Sequence, residues 1–242
     1  MSMTRDLLAR FPWLFRVEMR RRVWTSRVTR RAALARYLKS TETPRLHIGA
    51  GGNVLDGWFN TDVLIFRRGR VTFLDARRPF PIPDAVFAYV FTEHQIEHIT
   101  YDDAAALLRE CFRVLRSGGW VRVGTPDLAW VGSLTQMPLP AEQARYVAWM
   151  SHQMALAGPD AATAVNAMFR GVESVPGAGH KFLYSFDALR ALLERAGFRD
   201  VRRCEMQVSE ESALHGIERH GEAIGNEEIA RMETLVVEAR KP

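Results

Sequence analysis

The sequence predicts an α/β fold: a doubly wound, mostly parallel sheet, preceded by a helix and carrying an inserted helical cap. Three observations predict it. After Pro44, strand-length apolar runs alternate with helix-length amphipathic stretches, the signature of a parallel sheet. Ala85–Phe91 is an unbroken apolar run of seven, as a strand covered on both faces requires. The first strand runs into Gly49-Ala-Gly-Gly52, a tight turn at the carboxyl end of a strand, where such sheets bind ligands.

Composition narrows the class. The 242 residues are 47% hydrophobic and 25% charged, which excludes a disordered chain, a collagen-like fibre and a small disulfide scaffold. No apolar run reaches the roughly 18 residues of a membrane span. Cys111 and Cys204 lie far apart and form no C-x-x-C pair, so two reduced thiols in a cytoplasmic protein are expected. The N-terminus lacks the pattern of a secretory signal, because Arg10 and Arg16 bracket its apolar stretch. The net charge of +5 is uneven. Residues 1–45 hold 12 Lys/Arg against Asp6, Glu18 and Glu42, which is +9, and the remainder carries −4. A basic segment, residues 1–44, thus precedes a mildly acidic domain, residues 45–242.

Each element has its own signal. Asp6–Ser40 reads as helix, with Pro12 at a break or first turn and Trp13, Val17, Trp24, Val28, Ala35 and Leu38 at roughly helical spacing among arginines. Such a helix can pack its stripe on the domain, lie on anionic lipid through residues 5–40, contact nucleic acid, or swap between subunits of a homodimer. Strands are expected at Arg45–Ile48, Trp58–Asp62, Arg70–Asp75, Ala85–Phe91 and Trp120–Gly124. A helix capped by Asp102/Asp103 follows the fourth, with Ala105, Leu107, Leu108, Cys111, Phe112 and Leu115 on its apolar side and Ser117-Gly-Gly119 as its stop. Residues 131–179 interrupt the alternation as a cap: helices Ala141–Ala157 and Asp160–Phe169, then a Gly171–Gly179 loop. A helix Ser185–Ala196, capped by Ser185 and stopped by Gly197, leads to strands Val201–Val208 and Thr234–Ala239.

The strand ends carry the functional signal. Gly49-x-Gly51 lets backbone approach a ligand closely. Val54 stands where a dinucleotide fingerprint has its last glycine, which counts against NAD. Asp62 ends the second strand, where a carboxylate can accept from two ribose hydroxyls. Asp75-Ala76 ends the third, where Asp can accept from an adenine amino group. Phe91-Thr92 ends the fourth, beside the first turn.

Leu46-His-Ile-Gly-Ala-Gly-Gly-Asn53, Gly57-Trp-Phe-Asn-Thr-Asp62, Pro79-Phe-Pro-Ile-Pro-Asp84, Glu97-His98 and Arg113-Val-Leu-Arg-Ser-Gly-Gly119 together resemble the class I S-adenosylmethionine-dependent methyltransferases, nearest the type 11-like small-molecule branch. The resemblance covers residues 45–127 and resumes at His180–Phe198. It implies a Rossmann-like seven-stranded sheet with an antiparallel last strand, and S-adenosyl-L-methionine as cofactor. It places Gly49, Ala50 and Gly51 around the methionine part, Asp62 on the ribose, Asp75 and Ala76 at the adenine, and Phe91 and Thr92 on the floor. Two departures stand out. His47 occupies a position where the family commonly has an acid, and the short span from Gly49 to Asp62 leaves little room for a first helix.

Methyl transfer is an in-line displacement in which the protein aligns donor and acceptor. An oxygen acceptor also calls for a base, and histidine titrates in the right range. His94 and His180 are the candidates, with Tyr184 orienting the acceptor. His180 could equally tie down its loop, and Asp127 could contact substrate or cap the next segment. His94-Gln-Ile-Glu-His98 matches H-x-x-E-H, whose spacing on a helix suits zinc, but no third ligand is evident and no metal is expected. His152, His215 and His220 read as surface residues. Trp149, Met150, Met154 and Met168 read as cap core or as a lid over an apolar acceptor. No Pro-Cys nucleophile, no Asn/Asp-Pro-Pro-aromatic motif and no phosphate loop is present. The expected activity is methyl transfer to oxygen or nitrogen of a small or lipid-like acceptor. Its rivals are an RNA methyltransferase guided by the basic segment, a nicotinamide-dependent oxidoreductase and a non-catalytic cofactor-binding member.

Overall fold

The computed structural model describes residues 12–155, 158–170 and 179–242. Most of the expected Gly171–Gly179 loop, the start of the first helix and the end of the first cap helix lie outside them. The first described element, α1 (Pro12–Lys39), begins at Pro12, a residue suited to a first helical turn. Strands β1 (Arg45–Ile48), β2 (Phe59–Asp62), β3 (Thr72–Phe73), β4 (Phe87–Glu93) and β5 (Leu115–Pro126) follow, with α2 (Tyr101–Val114) before β5. The cap comprises α3 (Leu128–Ser133), α4 (Ala141–Gln153) and α5 (Ala161–Arg170). The chain closes with α6 (Phe186–Ala196), β6 (Arg199–Cys204), α7 (His220–Ile224), α8 (Glu227–Glu233) and β7 (Thr234–Arg240).

The seven strands form one sheet in the order β3-β2-β1-β4-β5-β7-β6. β1 to β5 are parallel, and β7 runs antiparallel to both β5 and β6. Strand order reverses between β1 and β4, so the ligand crevice of a doubly wound sheet falls at their carboxyl ends. The core joins the sheet to α2 and α6 through Leu46, Phe87, Leu107, Leu108, Cys111, Leu189, Leu192 and Phe198. A smaller core unites the cap with Leu183 and Ile229 of the sheet domain, through Val131, Leu134, Tyr146, Val147 and Met168.

Several boundaries differ from the sequence reading. The cap of α2 is Thr100, whose hydroxyl accepts from Asp103 N–H, while Asp102 and Asp103 occupy the first turn. The helix ends at Val114, ahead of Ser117-Gly-Gly119, because Leu115 already pairs with Phe87 and begins β5. Gly119 has no space for a side chain: an added Cβ would meet Ala88 O and Arg116 O at 2.9 Å. β3 is only two residues, as an edge strand paired on one side. β6 ends at Cys204 rather than Val208, beyond which the chain turns away as Arg122 binds Glu205 O and Val208 O. Ser185 and Gly197 cap α6 as expected, Gly197 in the left-handed region at φ 109°.

The N-terminal helix packs through only part of the expected stripe, at Leu38, and otherwise through residues outside it. Met19, Val23, Ser26, Ala33, Leu34 and Tyr37 turn toward the domain, with Met19 against Ile65, Val71 and Phe73. Val17, Trp24 and Val28 are 56, 67 and 65% exposed, so that part of the stripe faces outward.

Candidate active site

The glycine turn follows β1 directly, with no helix between Ile48 and β2. Gly49 (φ 74°) and Gly51 (φ 50°) take left-handed conformations that disfavour side chains. At Gly49 a Cβ would also lie 2.4 Å from Gln95 Cγ, whereas at Gly51 it would meet nothing within 4 Å. Gln95 therefore covers one glycine and leaves the other open. Two amides of the turn are already engaged: Ala50 N–H donates to Thr61 O (3.0 Å) and Gly51 N–H to Asp62 Oδ2 (2.8 Å). The turn thus presents an open, side-chain-free surface more than a row of free amide donors.

Asp62 also accepts from Leu64 N–H at 2.7 Å, so each carboxylate oxygen has one donor and keeps acceptor capacity. Burial pushes its carboxyl above the ordinary range, against the pull of those amides. Asp75, just beyond β3, is gripped through both oxygens by Arg77 (2.9 and 3.0 Å), which holds its carboxyl below the ordinary range. Ala76 is buried beside it. Thr92 is fully buried on β4 next to Ile48, and its hydroxyl donates to Gln95 Oε1 at 3.4 Å. The Phe91 ring packs among His47, Trp58 and Leu214. His47 shares that packing, with Nδ1 3.0 Å from Asn60 Oδ1. Asn60 Nδ2 donates to Leu55 O and Trp58 O, so its oxygen is the acceptor and His47 Nδ1 carries the proton. Burial pushes this imidazole down to about 4.

The second half of the site lies at the ends of β4 and β5. His94 follows β4 with φ 45°, and Ile96–His98 forms a single 3₁₀ turn, not an α-helix. His94 and His98 therefore do not share the helical face that H-x-x-E-H spacing suggests. The His94 ring stacks on His220 at 3.5 Å and 15°, with Nε2 3.0 Å from Thr234 Oγ1 and Nδ1 3.3 Å from Glu97 Oε1. Burial lowers its pKa, yet the nearby carboxylates of Glu97, Glu233 and Glu93 raise it, with a net shift upward. His220 is no surface residue: besides stacking, its Nε2 lies 2.9 Å from Glu233 Oε1. Glu233 Oε2 accepts from Tyr146 O–H of the cap at 2.6 Å. Glu93, whose carboxyl burial pushes up, accepts from the backbone N–H groups of Arg219 and His220.

His180 comes from the strap between cap and α6, which is fastened to the 3₁₀ turn: Lys181 N–H and Phe182 N–H donate to Glu97 O at 2.7 and 3.3 Å. His180 Nδ1 lies 2.6 Å from Met168 O and so carries the proton, leaving Nε2 as an acceptor. Its ring is 4.9 Å from that of His98, edge to face. Burial lowers its pKa, with Glu97 opposing. Tyr184 is fully buried, its hydroxyl has no hydrogen-bond partner, and burial raises its pKa. Asp127 caps α3 through Ala129 N–H and pairs with Arg203 at 2.6 Å. Met168 is core, while Met154 is half exposed.

Eight of the sequence-derived residues fall in two groups bridged by Gln95: Gly49, Ala50, Gly51, Asp62 and Thr92 on one side, His94, His180 and Tyr184 around Glu97 on the other; Asp75, held by Arg77, Ala76, in the main core, and Phe91, packed on His47 and Trp58, join neither. Sequence reasoning missed Gln95, Asn60 and Glu233. Only the position of Gln95, inside the H-x-x-E-H segment, offered a signal.

A methyltransferase domain family matches residues 64–123, which include Asp75, Ala76, Phe91, Thr92 and His94 but not the glycine turn. No curated protein matches the chain. Among solved structures, an S-adenosylmethionine-dependent methyltransferase of Archaeoglobus fulgidus aligns at a TM-score of 0.51 and 20% identity, over 96% of this chain and all of that one. This likeness establishes the shared fold. A phosphoethanolamine N-methyltransferase 2 of Haemonchus contortus aligns at 0.43 and 17% identity, over 84% of this chain and 49% of that one. A methyltransferase of Thermotoga maritima aligns at 0.43 and 16%, over 98 and 99%.

Proposed function

We propose that the chain is an S-adenosylmethionine-dependent methyltransferase of the type 11-like group, a reading supported by the methyltransferase domain match over residues 64–123 and by the shared fold, and that it methylates oxygen or nitrogen of a small or lipid-like acceptor. The open surface at Gly51 and the spare acceptor capacity of Asp62 fit the cofactor. Gly49, Ala50 and Gly51 would flank its methionine part, Asp62 its ribose, Asp75 and Ala76 its adenine, with Thr92 on the floor and Phe91 supporting from below. The cofactor supplies an electrophilic methyl group on a sulfonium, and the chain's own groups align the acceptor with it.

One observation carries the small-acceptor reading: the cap is bonded into the carboxyl-end cluster. Tyr146 of α4 donates to Glu233, and His180 Nδ1 donates to Met168 O of α5. A site roofed by its own helices suits an acceptor that can be enclosed. His180, with Nε2 left as an acceptor, would face the acceptor, and Tyr184, fully buried, would support it from inside. His94 has both ring nitrogens near partners and supports the wall. The test is formation of S-adenosylhomocysteine on incubation with panels of small amines, phenols and carboxylic acids, and with total RNA. Turnover with a small acceptor, strongly reduced in His180→Ala at unchanged cofactor affinity, is expected. Turnover with RNA alone would contradict the reading.

A lipid-like acceptor gains support from α1. Its outward face sets Val17, Trp24 and Val28 among Arg20 and Arg31, with Arg21 paired to Glu18 and Arg27 over Phe73, an arrangement suited to an anionic membrane surface. No described helix is long and apolar enough to cross a membrane. Flotation with anionic vesicles but not neutral ones, lost in Trp24→Glu, is the expected outcome. Equal behaviour on both lipids would remove the membrane role.

A further inference from the structure

We propose that Glu97, His98 and His180 form a binding site for one divalent transition-metal cation of the zinc type. One ligand atom from each lies within 4.8 Å of the other two. Two imidazole nitrogens and one carboxylate are a donor set that zinc accepts while keeping a fourth position open.

Two of the three side chains have buried atoms that await a partner. Glu97 is fully buried. Its Oε2 accepts from Thr125 O–H at 3.1 Å, but Oε1 has no hydrogen bond; His94 Nδ1 at 3.3 Å is in ion-pair range without the alignment of one. The Nδ1 atom of His98 is likewise buried and unpartnered. Leaving a buried polar atom unpaired is unfavourable, a cost that a shared cation would remove at both residues. The third side chain is prepared differently. His180 donates Nδ1–H to Met168 O, which fixes its tautomer and aims the Nε2 lone pair away from that carbonyl. Metal-ligating histidines almost always have this outer hydrogen bond.

The backbone holds the three together without help from a ligand. Lys181 N–H and Phe182 N–H bind Glu97 O, and His98 N–H binds Gln95 O at 3.1 Å. The turn carrying Glu97 and His98 and the strap carrying His180 are therefore one rigid unit. The H-x-x-E-H spacing pointed to His94 as partner of His98, but the φ of 45° at His94 sends that ring to His220. His180, distant in sequence, takes its place. Cation binding does not depend on the methyl-transfer reading, although the cation would sit where His180 faces the acceptor.

The test uses the full chain, freed of metal by chelation and titrated with zinc by calorimetry and with cobalt by visible absorption. One equivalent of zinc, and a cobalt spectrum of low coordination number, are expected. His98→Ala and His180→Ala should each weaken binding by at least about tenfold, whereas His152→Ala and His215→Ala, at exposed positions, should not. Absence of stoichiometric binding, or unchanged affinity in both site variants, overturns the proposal. If those variants fail to fold, histidine nitrogen resonances of the unaltered protein decide. Shifts at His98 and His180 on adding zinc support the site, and shifts confined to other histidines overturn it.

Discussion

At Asp62 one carboxylate has a structural task and a proposed binding task. It closes the glycine turn by accepting from Gly51 N–H, and it ends β2 at the mouth of the crevice. Asp62→Ala should weaken S-adenosylmethionine binding by about 1–3 kcal/mol, measured by calorimetry; unchanged affinity would remove it from the cofactor site. His47 makes a prediction about pH. Its folded pKa of about 4 lies below the ordinary 6.5, so between these values the unfolded chain binds more protons. The contribution of this residue to stability should be level above pH 6.5 and fall by on the order of 3 kcal/mol as pH drops toward 4. Denaturant unfolding across that window checks it, and His47→Gln should flatten the slope. Asp62 and the glycines were legible in the sequence because each is a special residue at a strand end. The role of His47 was not, because its partner Asn60 sits on the neighbouring strand and only the register of β1 with β2 brings them together. The meeting of Glu97, His98 and His180 was hidden because only backbone bonds from Lys181 and Phe182 to Glu97 O bring the strap to the 3₁₀ turn.

Among the elements, strand and helix order was legible because apolar period and caps are local signals. Edges were less so. β3 shrinks to two residues at the sheet margin, and β5 lengthens because Leu115 pairs with Phe87 before the bulge. β5 also hides a feature that its sequence disguises as solvent-facing. Arg122 is fully buried, paired with Glu218 and Glu238 and bonded to Val208 O and Glu205 O. Removing the cation leaves the buried Glu218 without an ion-pair partner and Glu238 with Arg202 alone. Arg122→Leu should therefore cost about 3–5 kcal/mol, read as a lowered urea midpoint. A loss below about 1 kcal/mol would show that water reaches the carboxylates. The same accounting explains why α1 surprised: its apolar residues are spread around the helix, and only packing decides which of them face the domain.

For the molecule as a whole, the basic segment and the acidic domain divide the work. The sheet sets the glycine turn and the histidine cluster at the ends of neighbouring strands, the inserted helices pack against that cluster's side of the domain, and α1 turns a charged, partly apolar face outward. The central claim is that the crevice at β1 and β4 holds S-adenosylmethionine through Asp62. Thermal unfolding tests it most directly, on the unaltered chain and on Asp62→Ala, with S-adenosylmethionine, its demethylated product or NADH in excess. A ligand at about 100 times its Kd adds about 2.7 kcal/mol, which for a chain of this size raises the midpoint by roughly 5–11 °C. A rise of that order with the methyl donor or its product, reduced in Asp62→Ala and absent with NADH, is the predicted result. No rise with either, or a rise with NADH alone, would contradict it.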